Sequence, residues 1–551
     1  MESHMNIPIF SDMFISLKNF KNLFCNKPVA VTGSFVFFSS FITAGQVNEK
    51  PNILIIMTDQ QAFSALGYSG NSVIKTPNLD RLAGNGVYFS QAVTPCPVSA
   101  PARTSMLTGR LTETTTVRDN KDVVSKDGLY YQSFDEILSK GGYWSEYYGK
   151  FHSPEYMARV YKNPPVEGLT GTDPIIKWES LYVKYVKGNI KKRELKTGEL
   201  YETTFYGGTV PYRPDPIDRR YKYLPSGEIP EEELKLKKFG QDDVHGVLDM
   251  PAEYSITAVQ GREAIEALDR IKDQRFILTC SFHCPHVPIT PSEPYVSMYK
   301  LDEMITPVSI HDSRSNSPYK ANQLESPYSD PEGVKYMTLN YYAFVTEIDE
   351  WVGKIVAKLD QLKLAENTLV VFVSDHGEML GAHGMRGKFC FYEESVRVPF
   401  IISYPGKIKA GLRISTPVSV LNIFPTILDY AGVTNIPSDG YSLRPVIEGG
   451  EPRYDFAVSE WTWSNNNVPS LMIRTSDWKL MTTHRNGGKN IEALFDLKND
   501  PFEINNLLGT NPERFKYKEI TESLRSRLVG YLKDVNSPLL KGVEQRILIR
   551  E

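Results

Sequence analysis

Three apolar runs, residues 52–58, 275–282 and 367–374, constrain this chain more than any other feature. Each is rich in β-branched residues and lacks a regular polar alternation, so each is expected as a strand buried on both faces of a parallel sheet. Residues 399–405 resume that pattern, and a short strand is expected at 143–148. Between them, residues 133–140, 255–271, 339–362 and 418–431 carry helical apolar spacing, 339–362 being the longest stretch. Strands alternating with helices give the fold class: α/β, with a mostly parallel central sheet flanked by helices. Past the turn-rich residues 437–451 the pattern changes to short hairpin-like strands at 456–463, 471–474, 479–483 and 493–497, then a helix at 516–533. That predicts a smaller C-terminal α+β domain. The expected organisation is a leader over 1–46, a main domain over 47–450 with an irregular insertion at about 160–245, and a C-terminal subdomain over 451–551.

A formal net charge of -4 over 551 residues gives no broad basic surface, so nucleic acid is not an expected partner. The five cysteines, Cys25, Cys96, Cys280, Cys284 and Cys390, show no paired metal spacing and are expected as buried thiols. Lys18, Lys21 and Lys27 precede an apolar run at 29–44 that ends in Ala44-Gly45-Gln46. This predicts a secretory signal cleaved near Ala44, on a run too short and broken for a stable membrane span. The expected location is outside the cytoplasm, periplasmic or extracellular.

The strand ends carry the chemistry. Asp59-Gln60 follows the first run, Gly149-Lys150-Phe151-His152 follows the 143–148 strand, His283-Cys284-Pro285-His286 follows the second run, and Asp375-His376-Gly377-Glu378 follows the third. Polar residues at the carboxyl ends of parallel strands are where such folds place ligands. In Ser99-Ala100-Pro101-Ala102-Arg103 a hydroxyl stands just before a short helix-compatible run with Pro101 in its first turn, and Arg103 lies one turn along on the same side. Free N–H groups at that end favour an anion. Lys150 and His152, two apart on an extended segment, are expected to share a face. Arg386 and Lys388 lie in a glycine-containing loop downstream with His383.

Asp59-Gln60, then S-x-P-x-R-T-S-x-L-T-G-R, Gly-Lys-x-His, Pro-His-x-Pro, Asp375-His376-Gly and Gly-Lys388, in that order, resemble the type I sulfatase family of the alkaline-phosphatase-like superfamily. Residues 474–480 and 494–503 are similar to that family's second domain. The resemblance implies that Ser99 is oxidised by a maturation enzyme to formylglycine. Its hydrate can attack sulfur with one hydroxyl and expel sulfate through the other, avoiding the stable ester a serine would form. Asp59, Gln60, Ser99, Asp375 and His376 would surround one divalent cation, calcium by expectation. Gln60 and His376 stand where many relatives have Asp and Asn. Arg103 and Lys150 would hold the nucleophile and the sulfate, and His152 would take a proton from the formylglycine. His286, as general acid, and Lys388 would serve the leaving-group oxygen. Asn120 and His283 are the implied substrate contacts.

Together these features predict an exported bacterial sulfuric ester hydrolase acting on a sulfated carbohydrate, such as a glycosaminoglycan fragment. A phosphodiester or phosphonate monoester hydrolase and a non-catalytic glycan-binding protein are the alternatives.

Overall fold

The apolar runs become the middle of a seven-stranded sheet. The computed structural model describes residues 50–123, 130–162, 201–205, 208–218, 244–319, 329–462, 469–484 and 490–548. The proposed signal segment and Cys25 lie outside those residues. The strands are β1 (Asn52–Thr58), β2 (Val87–Phe89), β3 (Trp144–Gly149), β4 (Phe276–Ser281), β5 (Thr368–Ser374), β6 (Phe400–Ser403) and β7 (Leu412–Ile414). Their spatial order is β7-β2-β6-β5-β1-β4-β3. β6 runs antiparallel to both neighbours, and every other pairing is parallel.

β1 lies inside the sheet, between β5 and β4, and is buried along its whole length. Its side chains alternate between two cores. Leu54 and Ile56 pack in one with Leu278, Cys280, Val370 and Phe372, and Ile53, Ile55 and Met57 pack in the other with Ile277, Val371 and Val373. Each such residue fully withdrawn from water is worth roughly 1.5–3 kcal/mol, so this strand tolerates no polar alternation.

The helices that cover the sheet include α1 (Pro77–Gly84), α2 (Ser99–Thr108), α3 (Phe134–Lys140), α4 (Ile256–Ile271), α5 (Pro331–Gln361) and α6 (Ile423–Tyr430). Ser255 caps α4 by accepting from Ala258 N at 3.0 Å. α5 starts eight residues before the expected position, at Pro331. Asp330 accepts from Gly333 N at 2.9 Å, and Pro331 sits in the first turn, where its missing N–H costs nothing. The helix expected over 418–431 is, in contrast, shorter. Val418–Ser419 pairs as a strand with Ala92–Val93, and α6 begins at Ile423. Pro425 accounts for this, because a proline fits only the first turn.

Within the irregular insertion, Tyr201–Phe205 and Gly208–Pro214 form an antiparallel sheet with Gly246–Leu248. Cys96, Cys280, Cys284 and Cys390 are free and buried.

The C-terminal part is an antiparallel meander of β8 (Phe456–Thr462), β9 (Pro469–Thr475), β10 (Trp478–His484) and β11 (Asn490–Asp496), followed by α7 (Lys518–Asp534). One sheet face packs on Leu524, Leu528 and Leu532 of α7. The other, through Trp461, Met472, Met481 and Phe495, packs on Cys96, Val98, Cys390, Phe391 and Tyr392. The meander is therefore seated on the chain just before Ser99 and just after Lys388.

A buried ionic knot fixes this seat. Lys479 lies between Glu393 at 2.8 Å and Glu503 at 2.7 Å and donates to Phe391 O at 2.9 Å. Arg474 forks onto the two Glu393 oxygens at 3.0 Å each. Removing one partner strands the others without water. Lys479→Met is expected to cost about 3–5 kcal/mol in chemical denaturation.

Glu460 on β8 is wholly buried; one carboxyl oxygen accepts from Glu113 N at 3.1 Å and the other has no partner. Burial, reinforced by the Glu113 charge, pushes its carboxyl up to about 8. The folded state thus holds a proton that the unfolded chain releases above the ordinary carboxylate range, so stability falls as pH rises from about 4.5 to about 8. Glu460→Gln is expected to raise Tm at pH 8 and to leave it nearly unchanged at pH 4.

Candidate active site

Parallel pairing in register puts the exits of β1 and β5 side by side, with Thr58 opposite Ser374. Asp59 and Asp375 are therefore delivered next to each other, both fully buried. Asp375 Oδ1 accepts from the backbone amides of Gln60 at 3.0 Å and His376 at 2.9 Å, while Oδ2 accepts from Arg103 Nε at 2.8 Å. Asp59 Oδ2 is ion-paired with Lys150 and lies 3.7 Å from Arg103 Nη2. Asp59 Oδ1 is buried and has no hydrogen-bond partner. Burial acts to raise the Asp59 carboxyl, but Lys150, His286, Lys388 and Arg103 together hold it well below the usual carboxylate range. For Asp375, burial and the Asp59 charge act upward, and His376, Arg103 and Lys150 prevail downward.

Ser99 is the first residue of α2, and Val98, in extended conformation, occupies the N-cap position. The hydroxyl expected just outside the helix is thus its first residue. His376 Nδ1 lies 3.0 Å from Gly377 O, a carbonyl that can only accept, so Nδ1 carries the proton and Nε2 is bare. Ser99 Oγ donates to that Nε2 at 2.9 Å and accepts from Lys388 Nζ at 3.3 Å. Burial first, and then Lys388, pushes the His376 imidazole down to about 4, which keeps this lone pair available.

Arg103, one helical turn from Ser99 and 1% exposed, also donates to Lys150 O at 2.7 Å and Ser281 Oγ at 2.8 Å. Lys388 donates to Gln60 Oε1 at 2.8 Å, and burial pulls its ammonium down to about 8. Gln60 stands in the left-handed region, at φ 68°, and its amide nitrogen donates to Glu378.

His152 departs from the extended geometry expected for it. Its φ is 45°, and its Nε2 donates to Asn120 O at 3.3 Å, leaving a buried Nδ1 without a partner. Burial, then Lys150 and Arg103, pushes this imidazole down to about 3. Asn120 Oδ1 accepts from Ala100 N at 3.1 Å, so this side chain satisfies an amide at the start of α2. His286 Nδ1 donates to Val287 O at 2.9 Å, which turns its ring to present a bare Nε2. The His283 ring lies 5.1 Å from that of His286. Burial lowers both histidines; Lys388 then acts most strongly on His286 and Lys150 on His283.

Three supporting residues, Ser281, Gln260 and Tyr341, escaped the sequence reading, and Glu378, named there at a strand exit, had no role assigned. Ser281 orients Arg103, Gln260 receives the His283 amide at 3.2 Å, Glu378 holds Gln60, and the Tyr341 hydroxyl donates to Gln60 O at 2.5 Å. The signal for Gln260 and Tyr341 was a polar atom on the buried face of a helix.

Asp59, Asp375 and His376 present ligand atoms within 4.8 Å of one another, a group that can hold a metal ion. The orphaned Asp59 oxygen and the bare His376 nitrogen fit a divalent cation with oxygen-rich ligation. A divalent cation at a hundredfold its Kd is expected to stabilise the fold by about 2.7 kcal/mol. The measurement is Tm with and without chelator, and Asp59→Asn should erase most of the rise.

The α/β core thus gathers carboxylates, three cationic side chains and a helix N-terminus at its strand exits, an arrangement able to receive an anion. The chain belongs to the sulfatase family, whose family model matches residues 51–433. A second match, described as the C-terminal part of N-sulphoglucosamine sulphohydrolase, spans residues 381–534. A choline-sulfatase of Rhizobium meliloti is 30% identical over 84% of this chain and 83% of its own length. An ulvan-active sulfatase of Formosa agariphila is 28% identical over 94% and 89%. An N-acetylglucosamine-6-O-sulfatase of Bacteroides thetaiotaomicron is 27% identical over 88% and 87%. Solved folds agree. A complex with D-glucosamine-2-N,6-O-disulfate superposes with TM-score 0.63 at 21% identity, covering 89% of this chain and 99% of that one. A phosphonate monoester hydrolase of Agrobacterium radiobacter gives 0.67 at 22%, covering 88% and 96%. The chain is a sulfuric ester hydrolase by family, and among the described residues no helix is long and apolar enough to cross a membrane.

Proposed function

We propose that this enzyme removes sulfate from a sulfated carbohydrate outside the cytoplasm of a bacterium, with Ser99 matured to formylglycine. The observation that carries the reading is the convergence on Ser99 Oγ of His376 Nε2 at 2.9 Å and Lys388 Nζ at 3.3 Å, beside the two buried carboxylates. The carbohydrate class is supported by the relatives named for ulvan and N-acetylglucosamine-6-O-sulfate.

Asp59, Gln60, Asp375 and His376 would hold one calcium ion together with residue 99, and that ion would supply positive charge for the nucleophile and a sulfate oxygen. Formylglycine supplies a geminal diol, which permits release of sulfate without a persistent ester. Arg103 holds its place through Asp375 and Ser281, so its guanidinium is set before substrate arrives and no reorganisation is required. Lys150, paired with Asp59, adds a second fixed cation on the sulfate side. His152 keeps a bare Nδ1 that can accept a proton from the nucleophile. His286 directs Nε2 toward the leaving-group oxygen, and the negative charge of the arriving ester opposes Lys388 and favours the protonated imidazole needed to act as acid.

A phosphonate monoester hydrolase is the second reading, because that class shares the fold with TM-scores of 0.67 and 0.68. Turnover of an aryl sulfate against an aryl phosphonate monoester separates the two.

The test is sulfate release from a panel of defined sulfated mono- and disaccharides by matured protein. The peptide containing residue 99 should be about 2 Da lighter than its serine form. Ser99→Ala should abolish release, and Lys388→Ala should cost about 10²–10³ in kcat. Formylglycine present with no sulfated sugar turned over would overturn the carbohydrate reading.

A further inference from the structure

Phe389 is an anomaly beside this site. It is 38% exposed, while Lys388 before it and Cys390 after it are 6% and 0% exposed. Its φ is 73°, in the left-handed region that a bulky aromatic residue rarely occupies. A scattered exposed phenylalanine is ordinary on a protein surface. One held in a conformation that Gly or Asn would adopt with less strain is not, and such outliers collect where a ligand is handled.

Its position is fixed from three sides. The Phe389 amide donates to Pro97 O at 3.4 Å, two residues before Ser99. Lys388 Nζ, which reaches Ser99 Oγ at 3.3 Å, lies 6.0 Å from the centre of the Phe389 ring. The ring centre is therefore within about 9 Å of the Ser99 hydroxyl, the span of a sulfate group plus the ring that bears it. Trp461 of the C-terminal sheet, 5% exposed, backs Phe389 with ring centres 6.1 Å apart, and Phe391 packs edge-on against the same indole at 6.4 Å. The phenylalanine is thus anchored on one side and open to solvent on the other.

We propose that Phe389 is a specificity-determining residue, the aromatic platform against which the C–H face of the sulfate-bearing pyranose ring packs. This rests on the carbohydrate reading and deepens it. The sulfate is held by the cations below, and the platform selects a ring with an apolar C–H face over an acyclic or highly charged alcohol. The left-handed backbone brings the ring out of the core at the residue next to Lys388, so one loop presents both the cation for the sulfate and the surface for the sugar.

The experiment uses full-length matured enzyme and the sulfated monosaccharide that wild type turns over fastest. Phe389→Gly should raise KM at least tenfold, leave kcat within about twofold, and leave the inhibition constant of inorganic sulfate unchanged. Its Tm should equal or exceed that of wild type, because glycine accepts the left-handed conformation. Phe389→Tyr should restore KM. An unchanged KM in Phe389→Gly, a parallel loss of sulfate binding, or a fall in Tm showing that the ring serves core packing would each overturn the proposal. Wild-type turnover of aryl sulfate with none of any sulfated sugar would instead overturn the carbohydrate reading and remove this one with it.

Discussion

Two carboxylates side by side in a dry interior are the constraint from which the site follows. Asp59 and Asp375 are both 0% exposed, and no arrangement of the strands that bear them can separate them, because β1 and β5 pair in register up to Thr58 and Ser374. Burial and mutual repulsion oppose two charged carboxylates, and a buried charge without compensation costs several kcal/mol. Arg103, Lys150 and Lys388 provide the compensation, each fixed by further contacts. The result is a rigid field, set before any ligand binds. One Asp59 oxygen is left over, and this remainder fits a cation.

Backbone strain and the C-terminal sheet serve the same end. Gln60, His152 and Phe389 all stand in left-handed conformations at φ 68°, 45° and 73°, and all lie at the rim or floor of this one site. Such positions persist only where surroundings over-determine them. Tyr341 and Glu378 restrain Gln60, Asn120 restrains His152, and Trp461 restrains Phe389. Trp461 belongs to the meander, whose ionic knot at Lys479, Arg474, Glu393 and Glu503 grips the segment running on from Lys388. The sulfatase match over 51–433 and the match to the C-terminal part of N-sulphoglucosamine sulphohydrolase over 381–534 overlap here, and the packing gives a physical reason why the two parts occur together.

Much of the fold could be read from residues alone. The β-branched runs at 52–58, 275–282 and 367–374 allowed no half-exposed sheet, and Ser255 and Pro331 carry ordinary helix-start chemistry. The errors at 339 and 418 came from weighting apolar spacing above the punctuation of Asp330-Pro331 and Pro425. Of the site, the charged residues at strand exits were legible because exits are where polar side chains have no packing role. Ser281, Gln260 and Tyr341 were not, since each is a polar group set inside an apolar stretch, where it leaves no pattern of its own.

The sequence by itself determined which residues leave the core at one end of the sheet, since buried runs expected to lie parallel must deliver Asp59, Lys150, His283 and Asp375 to the same side. Only the tertiary structure decided what each does there. Which nitrogen of His376 is bare depends on a carbonyl 3.0 Å away, and Asn120 meets a helix amide because α2 begins at Ser99. The His376 tautomer is set by the adjacent Gly377 carbonyl, whereas the partner of Arg103 and the restraint on the left-handed Gln60 come from segments hundreds of residues away. Such contacts leave no periodic trace in a chain, because one hydrogen bond fixes an orientation without requiring any pattern around it.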